Sequence, residues 1–347
     1  MKLQHLIIIL IIIVILTIII FSLRKKEQPS KHLSPDEKQK LFASSTVDAI
    51  VSRKATTYDN GRQKIPKRIM QTNEYNKIPK DMHKTIESIL ALNPEYEYHY
   101  FDDQAATAFI NQEYGPRVIE SYNDLIPGAY KADFFRYLYL YKHGGIYIDT
   151  GMVALKPFRE LIQPTDEFIA PEDNGDQGSI YNAFMCAIPQ HPIIAKAIRL
   201  CLANIEAKDL CGHFLAITGP KLLGKAFKEI INQEVQPNVN YGKSVRLIRH
   251  LGGNKINKGT KSIVGQIDAF EVPFLKTKYE TYYKDRLWYH TKEHYGELWH
   301  NGVVYYSTVA EDGLKNPNKC PPKVVPPISQ RILVDAISIR KASIVAS

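Results

Sequence analysis

The sequence predicts an α/β protein built on a Rossmann-type, mostly parallel sheet that is flanked by helices, with a transmembrane helix at the N-terminus. Three observations lead to this fold class. Strand-like and helix-like segments alternate through the middle of the 347-residue chain, which is the pattern of parallel strands joined by crossover helices. A composition of 44% hydrophobic and 23% charged residues excludes wholesale disorder. The third observation is a long apolar run close to the first residue.

That apolar run covers residues 6–23, reads LIIILIIIVILTIIIFSL and contains no charged side chain. As a helix it spans roughly 27 Å, which is close to the hydrocarbon thickness of a bilayer. A cleaved signal peptide has a shorter apolar region that ends at a small-x-small site, whereas this run ends at Ser22-Leu23-Arg24. We therefore expect residues 1–23 to form an uncleaved, single-pass anchor.

The orientation of this anchor stays open on the sequence alone. Lys2 precedes the apolar run, whereas Arg24, Lys25 and Lys26 follow it, so the positive-inside rule places the C-terminal side in the cytosol. Anchors of this kind usually keep the short N-terminus in the cytosol instead. The two arguments disagree.

The net charge of +9 is concentrated in the two flanks of the chain. Residues 1–64 carry +6, residues 315–347 carry +5 and residues 65–314 carry −2. A near-neutral centre argues against nucleic acid as a partner, because that partner needs a basic surface. We predict a polar stem over 24–64, a domain over 65–314 and a basic tail over 315–347. The tail either packs on the domain or lies on an anionic membrane surface.

The central domain opens with alternating strand and helix signals. Residues 65–72 and 96–101 read as strands, the second because aromatic and polar residues alternate in it. Between them Pro79 opens a helix with apolar residues at helical spacing, and Asn93-Pro94 stops it. A further helix is predicted to start at residues 102–103.

The strongest local signal lies between residues 129 and 149. A helix over 129–143 is closed by Gly144-Gly145, and a strand over 146–148 follows at once and ends at Asp149. Ligands of α/β sheets bind at the carboxyl ends of strands, so Asp149 is a candidate site residue. On the helix Asp133 and Arg136 share one face, although such a pair alone is typical of an ordinary surface ion pair.

Other chemistries find little support in the sequence. The cysteines form no C-x-x-C pair, which argues against a zinc module and leaves both disulfides and free buried thiols open; they are Cys186, Cys201, Cys211 and Cys320. Residues 219–226 nearly spell a phosphate-binding loop, but Ala226 stands where a hydroxyl is needed and Pro220 removes a backbone donor. Neither G-x-S-x-G nor H-E-x-x-H occurs, so serine hydrolases and zincins are unsupported.

The segment ADFFRY at 132–137, followed by Leu140-Tyr141 and by GGIYIDT at 144–150, resembles the sugar-binding block of glycosyltransferase family 32. Further segments are similar to the family's motifs and occur in the same order. They are IPKRIMQTN at 65–73, NPEYEY at 93–98, YNAF at 181–184, HP at 191–192 and ITGP at 217–220. The resemblance covers residues 65–305, and the ordered set of motifs makes it specific.

This resemblance implies a GT-A fold and a membrane-anchored, retaining glycosyltransferase. Such an enzyme moves a hexose (mannose, galactose, glucose or GlcNAc) from a nucleotide sugar to a glycan or glycolipid acceptor. With the predicted anchor and the basic flanks, we expect an ER- or Golgi-type endomembrane with a lumenal catalytic domain and contact with membrane lipid, while the orientation of the anchor stays open. The alternative is a catalytically inactive glycosyltransferase fold that binds glycans.

The resemblance also assigns roles to individual residues. The catalytic set is Asp149, Asp133 and Arg136. The donor-binding set is Gln71, Thr72, Gly144, Gly145, Tyr147 and Trp299. The cofactor is a divalent cation, Mn²⁺ or Mg²⁺, held by Asp149 with His294 as a substitute ligand.

The sequence departs from the family's D-x-D motif, because the triplet here is Asp149-Thr150-Gly151. One carboxylate with a diphosphate is a poor ligand set for a hard divalent cation. Another side chain substitutes, or metal dependence is weak, or catalysis is lost. The acidic loop at 171–176, after a predicted strand at 167–170, offers substitute ligands; it is otherwise a solvated turn or an acceptor-binding loop. Gly151→Asp is expected to raise metal-dependent donor binding.

Overall fold

The computed structural model describes residues 33–58, 61–173, 176–210, 212–251, 262–267, 270–289 and 293–312. The predicted anchor at 1–23 and the basic tail at 315–347 lie outside the described residues. No helix within the described ranges is long and apolar enough to cross a bilayer. Cys186 and Cys201 are buried free thiols, and the other two cysteines are outside the described ranges.

The described chain alternates strands and helices over most of its length. The strands are β1 (Thr46–Asp48), β2 (Ser52–Arg53), β3 (Arg68–Thr72), β4 (Lys77–Pro79), β5 (Glu97–Phe101), β6 (Gly145–Ile148), β7 (Val153–Ala154), β8 (Phe168–Pro171), β9 (Phe184–Ala187), β10 (Val239–Tyr241), β11 (Val245–Leu251), β12 (Ser262–Ile267) and β13 (Phe270–Lys276). The α-helices are Pro35–Ser45, Lys80–Leu92, Asp103–Tyr114, Pro116–Asp124, Gly128–His143, Pro192–Glu206, Pro220–Ile231, Tyr282–Tyr289, Tyr295–His300 and Tyr306–Asp312.

The predicted elements of the first half are confirmed to within a few residues, and their ends have local causes. The Asp102 carboxylate accepts a hydrogen bond from the backbone N–H of Ala105 at 2.7 Å and so begins the helix at Asp103. Gly144 ends the helix Gly128–His143 with φ +64°, a left-handed conformation that favours glycine. The chain therefore turns directly from this helix into β6.

The sheet is mixed, so the prediction of a mostly parallel sheet was wrong. Its strand order is β2-β5-β3-β6-β9-β8-β11-β12-β13-β7, with β10 on β11. The pairs β3–β5, β3–β6 and β8–β11 are parallel, and the other pairs of this sheet are antiparallel. The chain returns from β8 to β9 through a loop without a crossover helix, and a loop return gives antiparallel pairing.

Helices cover both faces of the sheet, which makes a three-layer α/β arrangement. Alternation along β6 shows the division, because Ile146 and Ile148 belong to one buried cluster and Tyr147 belongs to the other. The Tyr147 face is packed by the helix Gly128–His143 and by the two helices after β9. The opposite face is packed by the helix Lys80–Leu92.

Part of the predicted stem lies on the domain. The helix Pro35–Ser45 begins with a capping box between Ser34 and Glu37. Its Phe42 packs against the buried cluster that contains Ile146 and Ile148. The strand β1 pairs with β4, and β2 extends the edge of the sheet through β5. Residues 34–53 are thus held by the domain that follows them.

Candidate functional site

Two periodicities bring the predicted catalytic residues together. Asp133 and Arg136 are three residues apart on one helix, and Tyr147 and Asp149 are two residues apart along β6 and its end, so each pair faces one way. Because β6 follows this helix directly, the two faces meet. Nη2 of Arg136 lies 3.3 Å from Oδ1 of Asp133 and 3.5 Å from Oδ1 of Asp149.

Tyr147 supports this arrangement from the sheet. Its ring lies beneath the guanidinium of Arg136, with 4.2 Å between the ring centroid and Cζ. Its hydroxyl donates to Oδ1 of Asp149 at 2.6 Å. Tyr147 is itself buried. Through these two contacts it holds the Arg136 guanidinium and the Asp149 carboxylate in place.

Asp133 is a buried carboxylate whose oxygens are both bound by the protein. Oδ1 accepts from Nδ2 of Asn182 at 2.8 Å, and Oδ2 accepts from Oγ1 of Thr218 at 3.1 Å. Burial raises the pKa of Asp133 to about 6, although Arg136 and these two hydrogen bonds oppose the rise. The expected ordinary surface pair is therefore excluded, and Asp133 anchors Arg136 below the surface.

Asp149 is the carboxylate that the site presents to solvent. Its side chain is 30% exposed, against 11% for Asp133 and 6% for Arg136. Its backbone is fixed by hydrogen bonds to the Ala183 carbonyl and from the Gln71 amide. Oδ1 is held by Tyr147 and Arg136, whereas Oδ2 has no hydrogen-bond partner among the described residues. Oδ2 is thus available to a ligand.

Gln71 and Thr72, which the resemblance assigns to donor binding, are buried at the end of β3. Nε2 of Gln71 donates to the Asp149 carbonyl at 3.3 Å, and its Oε1 accepts from the Tyr98 hydroxyl at 2.9 Å. The Thr72 hydroxyl donates to the Phe101 carbonyl at 2.8 Å. In the structure both residues brace the end of the sheet beneath Asp149.

Gly144 and Gly145, which the resemblance assigns to donor binding, lie at the opposite end of β6 from Asp149. Asp149 is four positions after Gly145, which is about 13 Å along a strand. A Cβ atom at Gly144 would lie 2.6 Å from Cδ of Pro189, and one at Gly145 would lie 2.6 Å from the Arg68 carbonyl. The structure accounts for both glycines by close approach of neighbouring chain segments.

The late residues His294 and Trp299 lie at the short helix Tyr295–His300, His294 immediately before its first residue and Trp299 within it. Nδ1 of His294 accepts from the Gly296 backbone N–H at 3.2 Å, which makes His294 a helix cap. Trp299 contacts Phe214 edge-on with 6.3 Å between ring centroids. Across the described ranges no hydrogen bond or ion pair joins His294 to Asp149.

Sequence reasoning missed the roles of Asn182 and Thr218, although both stand in motifs quoted above. Asn182 donates to Asp133 and to the Tyr137 hydroxyl, and its carbonyl accepts from Nη1 of Arg136. These contacts join segments nearly fifty residues apart in the chain. The motifs that contain Asn182 and Thr218 were recognisable in the sequence, but only the structure shows that both side chains bind Asp133.

The predicted acidic loop is partly integrated into the sheet edge. The backbone N–H of His250 donates to Oε1 of Glu172 at 3.4 Å, and the His250 ring lies tilted against the Tyr181 ring with 4.4 Å between the ring centroids. Burial raises the pKa of Glu172 above its usual range. Asp176 faces away to Lys221 and Ser179. The start of the loop at Glu172 thus contacts His250, whereas its end at Asp176 contacts Lys221 and Ser179.

A divalent cation does not fit the residues around Asp149. Gly151 offers no side-chain ligand and its carbonyl already accepts from the Tyr279 backbone N–H. One oxygen of Asp149 is held by Tyr147 and Arg136. No group of three or more His, Cys, Asp or Glu side chains that could hold a metal ion occurs in the part of the chain that the structure describes. Since Mn²⁺ and Mg²⁺ prefer several oxygen ligands, we derive no step through a cation.

Comparison with known proteins confirms the resemblance. Residues 79–169 match the family model of the glycosyltransferase sugar-binding region containing the DXD motif. The chain is 30% identical over 145 residues to a mannosyl phosphorylinositol ceramide synthase of Saccharomyces cerevisiae, covering 42% of this chain and 37% of that protein. It is 29% identical over 174 residues to inositol phosphoceramide mannosyltransferase 3 of Schizosaccharomyces pombe, covering 50% of this chain and 46% of that protein.

A third relative is the initiation-specific alpha-1,6-mannosyltransferase of Candida albicans. It is 30% identical over 192 residues, which cover 52% of this chain and 48% of that protein. The chain thus spans between about a third and a half of the length of these relatives. The matched segment contains Asp133, Arg136, Tyr147 and Asp149.

Proposed function

We propose that the protein is a retaining glycosyltransferase of GT-A type, on the premise that residues 79–169 match the model of the glycosyltransferase sugar-binding region. It transfers a hexose from a nucleotide sugar to a glycan or glycolipid. The observation that supports this proposal is the Asp149 carboxylate, which has one oxygen fixed by Tyr147 and Arg136 and the other open.

The chemistry assigns Asp149 a positioning and binding role. Hydroxyl groups of the donor's ribose or hexose donate to Oδ2 of Asp149, which fixes the anomeric carbon relative to the acceptor. The bond from that carbon to the diphosphate oxygen breaks, and its electron pair leaves with the diphosphate. An acceptor hydroxyl oxygen bonds to the anomeric carbon, and its proton passes to the leaving phosphate oxygen.

Asp133 and Arg136 act beneath Asp149 in this proposal. Arg136 lies between two carboxylates, so its positive charge is largely balanced within the protein. Its function is to orient Asp149, and Asp133 with Asn182 keeps Arg136 in position. Gln71 serves the same end from the backbone side of Asp149.

The relatives suggest which donor and acceptor to test first. The first two of the three are named for inositol phosphoceramide or phosphorylinositol ceramide. The second and the third are named as mannosyltransferases. We therefore propose a mannosyl donor and a lipid-linked acceptor. A lipid acceptor agrees with the predicted anchor at 1–23 and with a lumenal, endomembrane site of action.

The test is a donor-hydrolysis and transfer screen on the full-length chain in mild detergent, with UDP- and GDP-hexoses. Asp149→Ala should lower turnover by about 100-fold or more, because the donor loses its positioning group, with an unchanged circular dichroism spectrum. Asp48→Ala, at an exposed ion pair with Lys77, is the matched control. Wild-type turnover by Asp149→Ala would refute the proposal. Glycan binding without turnover of any donor would favour the inactive, glycan-binding alternative.

A further inference from the structure

The space beside Gly151, where the family's motif has its second aspartate, is occupied by two side chains that follow the strand β13: Lys278 in the connection after it, and Tyr282 at the start of the next helix. A Cβ atom on residue 151 would lie 2.9 Å from Cε2 of Tyr282 and 3.5 Å from Nζ of Lys278. The first distance is shorter than a carbon–carbon contact permits. Glycine at 151 is therefore what allows the Tyr282 ring to lie this close to the backbone of residue 151, two positions after Asp149, with the Lys278 ammonium in ordinary contact distance of the same point.

Strand pairing explains why Lys278 reaches this position. The strand β13 runs antiparallel to β7, with Lys276 opposite Val153. The pairing direction continues past the end of β13, because the Tyr279 backbone N–H donates to the Gly151 carbonyl at 2.9 Å. Lys278 is therefore carried by backbone register to the end of the sheet where Asp149 lies, and it does not depend on a mobile loop tip.

The Lys278 ammonium has an orienting contact but no counterion among the described residues. Its Nζ lies 4.0 Å from the centroid of the Tyr282 ring, a cation–π contact that holds the charge in one direction. In the described ranges it makes no hydrogen bond and no ion pair. A half-buried cation without an anion beside it is well placed to bind one.

On the premise of the proposed function, we propose that Lys278 binds the donor's diphosphate in place of a divalent cation. When the anomeric carbon–oxygen bond breaks, negative charge develops on the leaving diphosphate oxygen, and a lysine ammonium stabilises such charge as a metal ion does. The charge balance supports this, because Arg136 is already shared by two carboxylates. A cation bound at the same place would be repelled by Lys278.

This assignment reverses one expectation from the sequence. Gly151→Asp was expected to raise metal-dependent donor binding by restoring the motif. A carboxylate at 151 would lie beside the Lys278 ammonium and would also displace the Tyr282 ring. We now expect the new carboxylate to pair with Lys278 and to weaken metal-free binding of a nucleoside diphosphate.

The experiment measures binding of UDP and GDP to the full-length chain in detergent by calorimetry, once with EDTA and once with Mn²⁺. Wild type should bind one of them with the same affinity in both conditions. Lys278→Gln should weaken metal-free binding by about 10- to 100-fold, since a hydrogen bond to a charged group is lost, and Lys278→Arg should retain most of it. Lys284→Gln, an exposed lysine on the next helix, is the matched control and should bind as wild type does.

Each outcome bears on the assignment. Nucleotide binding that requires Mn²⁺, or that is unchanged in Lys278→Gln, overturns it and leaves the proposed glycosyltransferase function standing. Failure of wild type to bind either nucleotide under both conditions overturns the proposed function together with it. Equal weakening in Lys284→Gln would show a general effect of charge and would also overturn it.

Discussion

Asn182→Ala tests how the fold holds a buried negative charge beneath the proposed donor site. Asn182 is buried, and its Nδ2 donates to Oδ1 of Asp133 at 2.8 Å and to the Tyr137 hydroxyl at 2.9 Å. The substitution removes both hydrogen bonds. The backbone carbonyl, which accepts from Arg136, is kept.

The expected loss of stability follows from these two contacts. A hydrogen bond to a buried charged group contributes about 1.5–3 kcal/mol, and one to a neutral group contributes about 0.5–1.5 kcal/mol. Together they give a loss of roughly 2–4 kcal/mol in the free energy of unfolding at pH 8. Asn204→Ala is the matched control, because Asn204 donates only to the neutral carbonyls of Ala216 and Ile217.

The loss should depend on pH in a defined direction. The pKa of Asp133 is raised to about 6 in the folded protein from 3.8, so ionisation of Asp133 disfavours the folded state, and stability falls as pH rises through this window. Asn182 stabilises the ionised form. Its removal raises the pKa further, so Asn182→Ala should cost more at pH 8 than at pH 5.

Urea denaturation at pH 5 and pH 8, with both variants and wild type, measures these differences. We expect a pH-dependent loss for Asn182→Ala and a pH-independent loss for Asn204→Ala. A loss below about 1 kcal/mol at pH 8, less than one charged hydrogen bond contributes, would refute the reasoning. So would an equal loss at both pH values, because Asn182 would then not act through the charge of Asp133.

Two further predictions concern β6. Gly144→Ala should destabilise the fold by about 2–4 kcal/mol in urea denaturation, from a left-handed φ and overlap with Pro189. Gly115→Ala, with φ +75° but open space around it, should lose only about 1 kcal/mol, and equal losses would contradict the packing account. Tyr147→Phe should lower kcat for donor hydrolysis by about tenfold, because the 2.6 Å hydrogen bond to Asp149 is lost. An unchanged kcat would show that Asp149 needs no orientation by Tyr147.

The sequence by itself determined the local elements and the principal constellation. Helical spacing placed Asp133 and Arg136 on one face, and the glycine-terminated helix with an immediate strand placed Asp149 at a strand end. These features depend on the side-chain periodicity of a helix or strand and on the residues next to it, and both can be read from short segments of sequence. The structure confirms each of them.

Only the tertiary structure decided the direction of the strands and the surroundings of Asp149. The antiparallel return to β9, the burial of Gln71 and the close approach of Arg68 to Gly145 all follow from long-range pairing. Lys278 lies beside Gly151 because β13 pairs with β7 in a fixed register, although these two strands are far apart in the chain. No local sequence pattern indicates such a contact. The contact is determined by backbone pairing between distant segments, and the residues of either segment alone do not specify it.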